Sequence, residues 1–394
     1  MHPAVEPPVT VIRELRAALD QAFSAPGADA RADELLAGGG AGLPDAHPAI
    51  LDHDAVRAAD PLGLDREFGE LPAVNAAGDA RTLLGWVRTA ARRGDPGWAA
   101  EDAVAALRDA GMLLASLGRA GVDPSVAAPE WEPLLTAWAL RTDMVPRDTV
   151  VHYGFWNPVG DRERRFLDRG PQEGALIQSV RTSCRLLPLA GTALDVSWRC
   201  GPTSPAGLAA LAVMRDAVVA FAGEFARVRQ IVDPHFFIEK LRPFFEPITV
   251  AGNPWSGPAA AFIPLYLVDE ALWGGGEALA AMHAEALRYG RPEWRRARER
   301  MAARPALSTW LEAGERGDHT PELATALELT DSAVHALLRF RGQHVTTARR
   351  AYSDQDSAFR HGSGGFVPED LKRVVDDERA AATGLHAAEQ RAGA

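Results

Sequence analysis

Cysteine and lysine are nearly missing from this chain. The two cysteines, Cys184 and Cys200, are too few for a disulfide framework and lack the paired spacing of a thiolate metal site, so reduced thiols are expected. Of 42 basic residues only Lys240 and Lys372 are lysine, a bias of codon supply rather than chemistry. The net charge of −11 argues against a nucleic-acid backbone or an anionic membrane surface as principal partner. Long apolar runs are also lacking. None approaches the roughly 18 consecutive apolar residues of a membrane helix, and residues 1–10 lack the basic-then-apolar pattern of a signal peptide, so a cytoplasmic protein is expected. There is no His-Glu-x-x-His, no Cys-x-x-Cys, no Gly-x-Ser-x-Gly and no Walker loop, which leaves zinc-hydrolase, α/β-hydrolase and P-loop readings without an anchor. Glycine runs at 38–42 and 274–276 follow no credible strand and read as loop or helix terminus.

What is present is helical periodicity. Hydrophobic residues make up 47% and charged residues 24%, as in ordinary globular proteins. Apolar positions at helical spacing predict helices at 9–23, 82–93, 99–120, 129–141, 174–187, 204–231, 234–244, 259–272, 275–289 and 321–352. Strand alternation is nearly absent. The expected class is all-α, with a smaller N-terminal helical domain over 1–150 and a larger helical domain over 151–394. Residues 25–48 read as a long Gly/Ala/Asp-rich connection, and 153–170 as a loop entering the second part.

The richest segment is Leu338-Arg339-Phe340-Arg341-Gly342-Gln343-His344, with Ser363 nineteen positions later in Gly362-Ser363-Gly364-Gly365. Thr320 before Pro321, with Glu322 in the first turn, marks a helix start, and Arg349-Arg350 suit the negative end of the helix dipole. On that helix His344 shares a face with Leu337, Phe340, Ala348 and Ala351, so its imidazole points into an apolar groove. A lone histidine on an apolar face is more often a hydrogen-bonded core residue than a ligand. His235, His283, His319, His335 and His361 stand at no recognisable ligand spacing, and His335 falls on the opposite face from His344. His283 and His335 read as surface or hydrogen-bonded helix residues.

The arrangement resembles the tryptophan and indoleamine dioxygenase superfamily of haem enzymes, and within it the monodechloroaminopyrrolnitrin synthase family. In that family a helix carries Arg-x-x-His, matched by Arg341 and His344, followed by Gly-Thr/Ser-Gly-Gly, matched at 362–365. The stretch Pro234-His235-Phe236-Phe237, continuing to Arg242, is similar to its Pro-x-x-Phe-x-x-x-x-Arg helix, and Ser256-Gly257-Pro258-Ala259-Ala260-Ala261 to its Gly-Gly-Ser-Ala-Ala segment. A weaker match aligns 174–179 with the distal helix. The likeness covers about residues 150–385.

The resemblance implies haem b held by His344 as iron ligand, with Arg341, Asp269 and Ala259 around the cofactor and O2 as co-substrate. It implies Arg242 for a substrate carboxylate, Phe237 against the ring, and Ser363, Gly364 and Gly365 closing over the substrate. Ser179, Ser363 and Tyr352 become candidates for catalytic contact. Serine replaces the dioxygenases' loop threonine, and Ala175 a bulky distal aromatic, which enlarges the expected pocket. The function implied is haem-dependent oxidation or rearrangement of a tryptophan-derived indole in secondary metabolism. Formation of N-formylkynurenine from tryptophan is an alternative within enzymes, and a non-catalytic haem sensor one outside them. Monomer and homodimer both stay open.

Overall fold

Helices make up nearly all the regular structure in the computed structural model, which describes residues 8–21, 51–168, 170–315, 320–352 and 366–392. The connection expected at 25–48 lies outside these residues. In chain order come α1 (Pro8–Gln21), α2 (His53–Ala58), α3 (Asp65–Ala77), α4 (Ala80–Arg93), α5 (Ala100–Arg119), α6 (Pro124–Ala127) and α7 (Trp131–Thr142). A π-turn at Val151–Phe155 and a 3-10 turn at Gly160–Arg162 lead to α8 (Pro171–Cys200) and α9 (Pro205–Ile231). Next are a π-helix (Phe236–Leu241) running into a 3-10 turn (Arg242–Phe245), a two-stranded antiparallel hairpin (β1 Ile248–Val250, β2 Asn253–Trp255) and a 3-10 turn (Ala260–Phe262). The rest is α10 (Tyr266–Leu272), α11 (Glu277–Tyr289), α12 (Pro292–Ala302), α13 (Leu307–Glu315), α14 (Pro321–Tyr352) and α15 (Pro368–Ala392). The all-α expectation holds.

Burial explains where local signals were overruled. The sequence predicts that α8 stops before Pro188, yet the helix runs on to Cys200. Leu186, Leu187, Leu189 and Ala190 around the proline are all buried, so core packing outweighs one missing backbone hydrogen bond. By length and composition α9 could cross a membrane, a feature that a search for uninterrupted apolar runs passes over. Here its Leu211, Met214, Val218 and Phe221 are core between α8 and α14, and Arg215 and Asp216 break the run. Asp216 accepts a hydrogen bond from Arg16 of α1 at 2.6 Å.

Two apolar clusters organise the molecule. The larger surrounds α8, α9 and α14. The other draws on α3 to α5 and α7 and continues across residue 150 into Tyr153, Phe166, Ile177 and Phe244. Buried charges bridge the two regions: Asp109 of α5 pairs with Arg108 at 2.7 Å and with Arg164 at 3.3 Å.

For the site, three placements matter. Thr320 caps α14 as expected, its hydroxyl accepting from the Leu323 N–H at 3.2 Å. The helix expected at 234–244 is wound wide and then tight, as the π-helix and 3-10 turn. The one expected at 259–272 breaks at Pro264 into a 3-10 turn and the short α10. Gly191 lets α8 approach α10 closely, since a Cβ there would stand 3.1 Å from Leu267 Cβ.

Candidate functional site

His344 lies on the inner face of α14, half-buried, between the rings of Phe340 one turn earlier and Phe225 of α9, at centroid distances of 5.8 and 5.6 Å. Among the described residues no group hydrogen-bonds its imidazole. Burial first, and the nearby Arg341 guanidinium second, push its pKa down to about 4, so the ring is neutral with a free lone pair at neutral pH.

The imidazole borders a cavity of about 140 Å³. Phe340, Arg341, His344 and Ala348 of α14 form one wall, Phe237 of the π-helix another, and Ala260, Ala261, Ile263 and Leu265 a third. Leu279, Met282 and His283 of α11 and Phe366, Leu371 and Val374 at the start of α15 complete the lining, with Asp269 of α10 at its edge. Apart from Asp269, His283, Arg341 and His344 the surface is apolar.

Three of those polar residues, Asp269, His283 and Arg341, belong to one buried network. Asp269 accepts from Arg341 Nη2 at 2.5 Å, Trp273 Nε1 at 3.0 Å and His283 Nε2 at 3.2 Å. Burial alone would raise the Asp269 carboxyl, but Arg341 and His283 outweigh that and hold it below the usual range. His283 Nδ1 faces Glu270 at 3.3 Å, and Glu270 accepts from Arg298 at 2.8 Å. Burial works against an imidazolium at His283, yet its two carboxylate partners raise its pKa. Glu378 of α15 stands 2.8 Å from Arg341 Nη1. Burial drives its carboxyl up to about 7, opposed by Arg341 and reinforced by Asp269. The Arg341 guanidinium also lies over the Trp273 ring, 5.6 Å from its centroid.

Residues 85–392 match the monodechloroaminopyrrolnitrin synthase (PrnB) family. The chain belongs to that family. It is an oxygenase family of antibiotic biosynthesis acting on tryptophan-derived substrates.

Of the residues singled out from the family's motifs, His344, Arg341, Asp269 and Phe237 come together around this one cavity. Ala259 is fully buried next to it and caps the turn whose Ala260 and Ala261 line it. Arg242 does not line it. The arginine is buried in its 3-10 turn and paired with Glu246 one turn on. Ser179 sits half-buried on α8, its carbonyl accepting from Ser183 Oγ at 2.8 Å, also outside the lining. Ala175 packs with Val228 and Val232. Tyr352 ends α14, and its side chain lies outside the described residues, as do His361, Ser363, Gly364 and Gly365. His335 bonds Asp331 on its own helix, in keeping with its reading as an ordinary helix residue. A larger concavity among the described residues, about 870 Å³, is an open groove edged by Asp123, Glu239 and Glu246, and none of the predicted site residues lines it.

The donor set suits a haem of the kind this family uses. It has a neutral imidazole without a hydrogen-bond partner among the described residues, apolar walls for a macrocycle, and a buried guanidinium able to take a carboxylate. The volume sets a condition. At about 140 Å³ the cavity is smaller than the roughly 300 Å³ at which ligand sites begin, so a porphyrin is seated only if a wall shifts.

Proposed function

We propose that this protein binds haem b through His344 and catalyses O2-dependent oxidation or rearrangement of a tryptophan-derived indole. The observation that carries the reading is His344 itself: a neutral imidazole with no hydrogen-bond partner among the described residues, facing an apolar cavity one turn from a guanidinium fixed by Asp269. Haem bound there supplies a redox-active iron for oxygen chemistry.

This chain's own residues then have separable tasks. His344 donates its lone pair. Arg341, oriented by Asp269, holds a propionate. Phe340 packs beside the His344 ring, and Phe237 excludes water from the reacting face and gives an indole a surface to lie against. Arg242, which does not line the cavity, takes a substrate carboxylate only if it leaves Glu246 and turns towards that cavity.

The test is turnover. Haem-reconstituted protein is incubated under air with tryptophan and with ring-halogenated tryptophans, and the products are weighed by mass spectrometry. A rearranged or oxygenated product that requires both haem and O2 supports the proposal. A gain of two oxygen atoms on tryptophan itself would mark dioxygenation to N-formylkynurenine. No O2-dependent product from any indole, with haem bound, would leave the sensor reading.

A further inference from the structure

Glu378 stands apart from the other carboxylates at Arg341. Asp269 accepts from three donors, whereas the buried Glu378 carboxylate meets one, Arg341, among the described residues. That contact is the 2.8 Å approach of Arg341 Nη1 to Glu378. One edge of the guanidinium is therefore held by Asp269 and the other by Glu378 alone among the described residues. A haem propionate docking there, as the proposed function requires, would be a third carboxylate on one buried cation. Three anions around Arg341 in a low-dielectric cavity repel strongly enough to bind a proton. The carboxylate that gives up least by taking it is Glu378, with one partner against the three of Asp269.

We propose that Glu378 takes up a proton from solvent when a haem propionate docks on Arg341, so that haem affinity in this protein is linked to pH through the C-terminal helix. The charged groups around Glu378 fit this role. From α14 it faces Arg341, and from α10 Asp269, which in turn meets His283 of α11. From α13, Glu312 lies against Gly384, and on α15 itself Asp377 points to Gly276 and His386 meets His335 of α14, all away from the Arg341 edge. Asp269 is the other carboxylate at this cation, and Arg341 and His283 hold it ionised.

The sign follows from linkage. The Glu378 carboxyl sits near 7 before docking, so below about pH 6 it is already neutral and docking takes up no proton. Above 7 a proton must be bound, and affinity falls by up to about tenfold per pH unit.

The full-length chain is titrated with haemin from pH 6 to 9, with quenching of tryptophan fluorescence as the readout, for wild type and Glu378→Gln. Wild type should lose affinity above pH 7, while the glutamine variant keeps the low-pH affinity of wild type throughout. Parallel pH profiles for the two proteins would overturn the inference. Haemin dimethyl ester serves if the variant does not fold: wild type should bind it without the steep loss above pH 7, and the same loss with the ester would refute the link. Wild type that binds neither compound at any pH would instead defeat the haem assignment itself.

Discussion

At the scale of residues, the site depends on keeping His344 neutral and Arg341 paired. A histidine whose folded pKa is about 4, against an ordinary 6.5, binds fewer protons folded than unfolded between those values. Stability should therefore rise with pH from 4 to 6.5, by up to about 3 kcal/mol for this one group. His344→Leu should flatten that part of the pH–stability profile, as read by chemical denaturation. Asp269→Ala should cost roughly 3–5 kcal/mol, because it strands the buried Arg341 and His283. A loss below 1 kcal/mol in thermal unfolding would mean the pair contributes nothing.

The residues legible in the sequence were those that local spacing or a family motif marks: His344, Arg341, Phe237 and Asp269. Glu378, His283, Trp273 and Glu270 were not recognised as partners. Their contacts join α10, α11, α14 and α15 across long stretches of chain, and no spacing in the sequence encodes such a meeting. One signal was available, since Glu378 falls at an inward position of an amphipathic C-terminal segment.

At the scale of elements, long amphipathic helices were readable and modified ones were not. The run of α14 matches its expected span because Thr320 and Pro321 start it with an unambiguous cap. The six-residue α2 is too short to show a period and α3 is barely amphipathic, while α12 and α15 are amphipathic but so rich in charge that their apolar positions stand out little. The π-helix at Phe236–Leu241 was read as an ordinary helix, since one extra residue per turn leaves the apolar pattern almost unchanged over six residues. Helix contacts also set where Asp269 stands. Gly191 on α8 has Leu267 Cβ and its carbonyl oxygen at 3.1 and 3.2 Å from where a Cβ would sit. Gly191→Ala should therefore push α10 outward and lower stability by about 1–3 kcal/mol. Differential scanning calorimetry would check this, and an unchanged or raised Tm would show that the helices separate freely.

At the scale of the whole molecule, the candidate site is assembled from segments far apart in the chain. Phe366, Leu371, Val374 and Glu378 come from the last described segment, while Phe237 comes from the chain's middle. Because the cavity must enlarge to seat a porphyrin, a wall has to yield, and the one taken to do so is α15, the last described helix, which packs chiefly on α14 with α13 and α11 contributing less. Hydrogen exchange on haem addition should change most within α15. Deleting residues 367–394 should abolish haem retention on gel filtration, and retention of haem by the shortened chain would remove α15 from the site.

The most direct test of the account is the absorption spectrum of full-length protein reconstituted with haem, ferric and then ferrous with carbon monoxide, for wild type and His344→Ala. The account predicts one haem per chain in wild type, a Soret band that shifts on adding carbon monoxide to the ferrous protein as for a histidine-ligated iron, and loss of that species in the variant. Wild-type protein that takes up no stoichiometric haem, or a spectrum unchanged by removing His344, would contradict it.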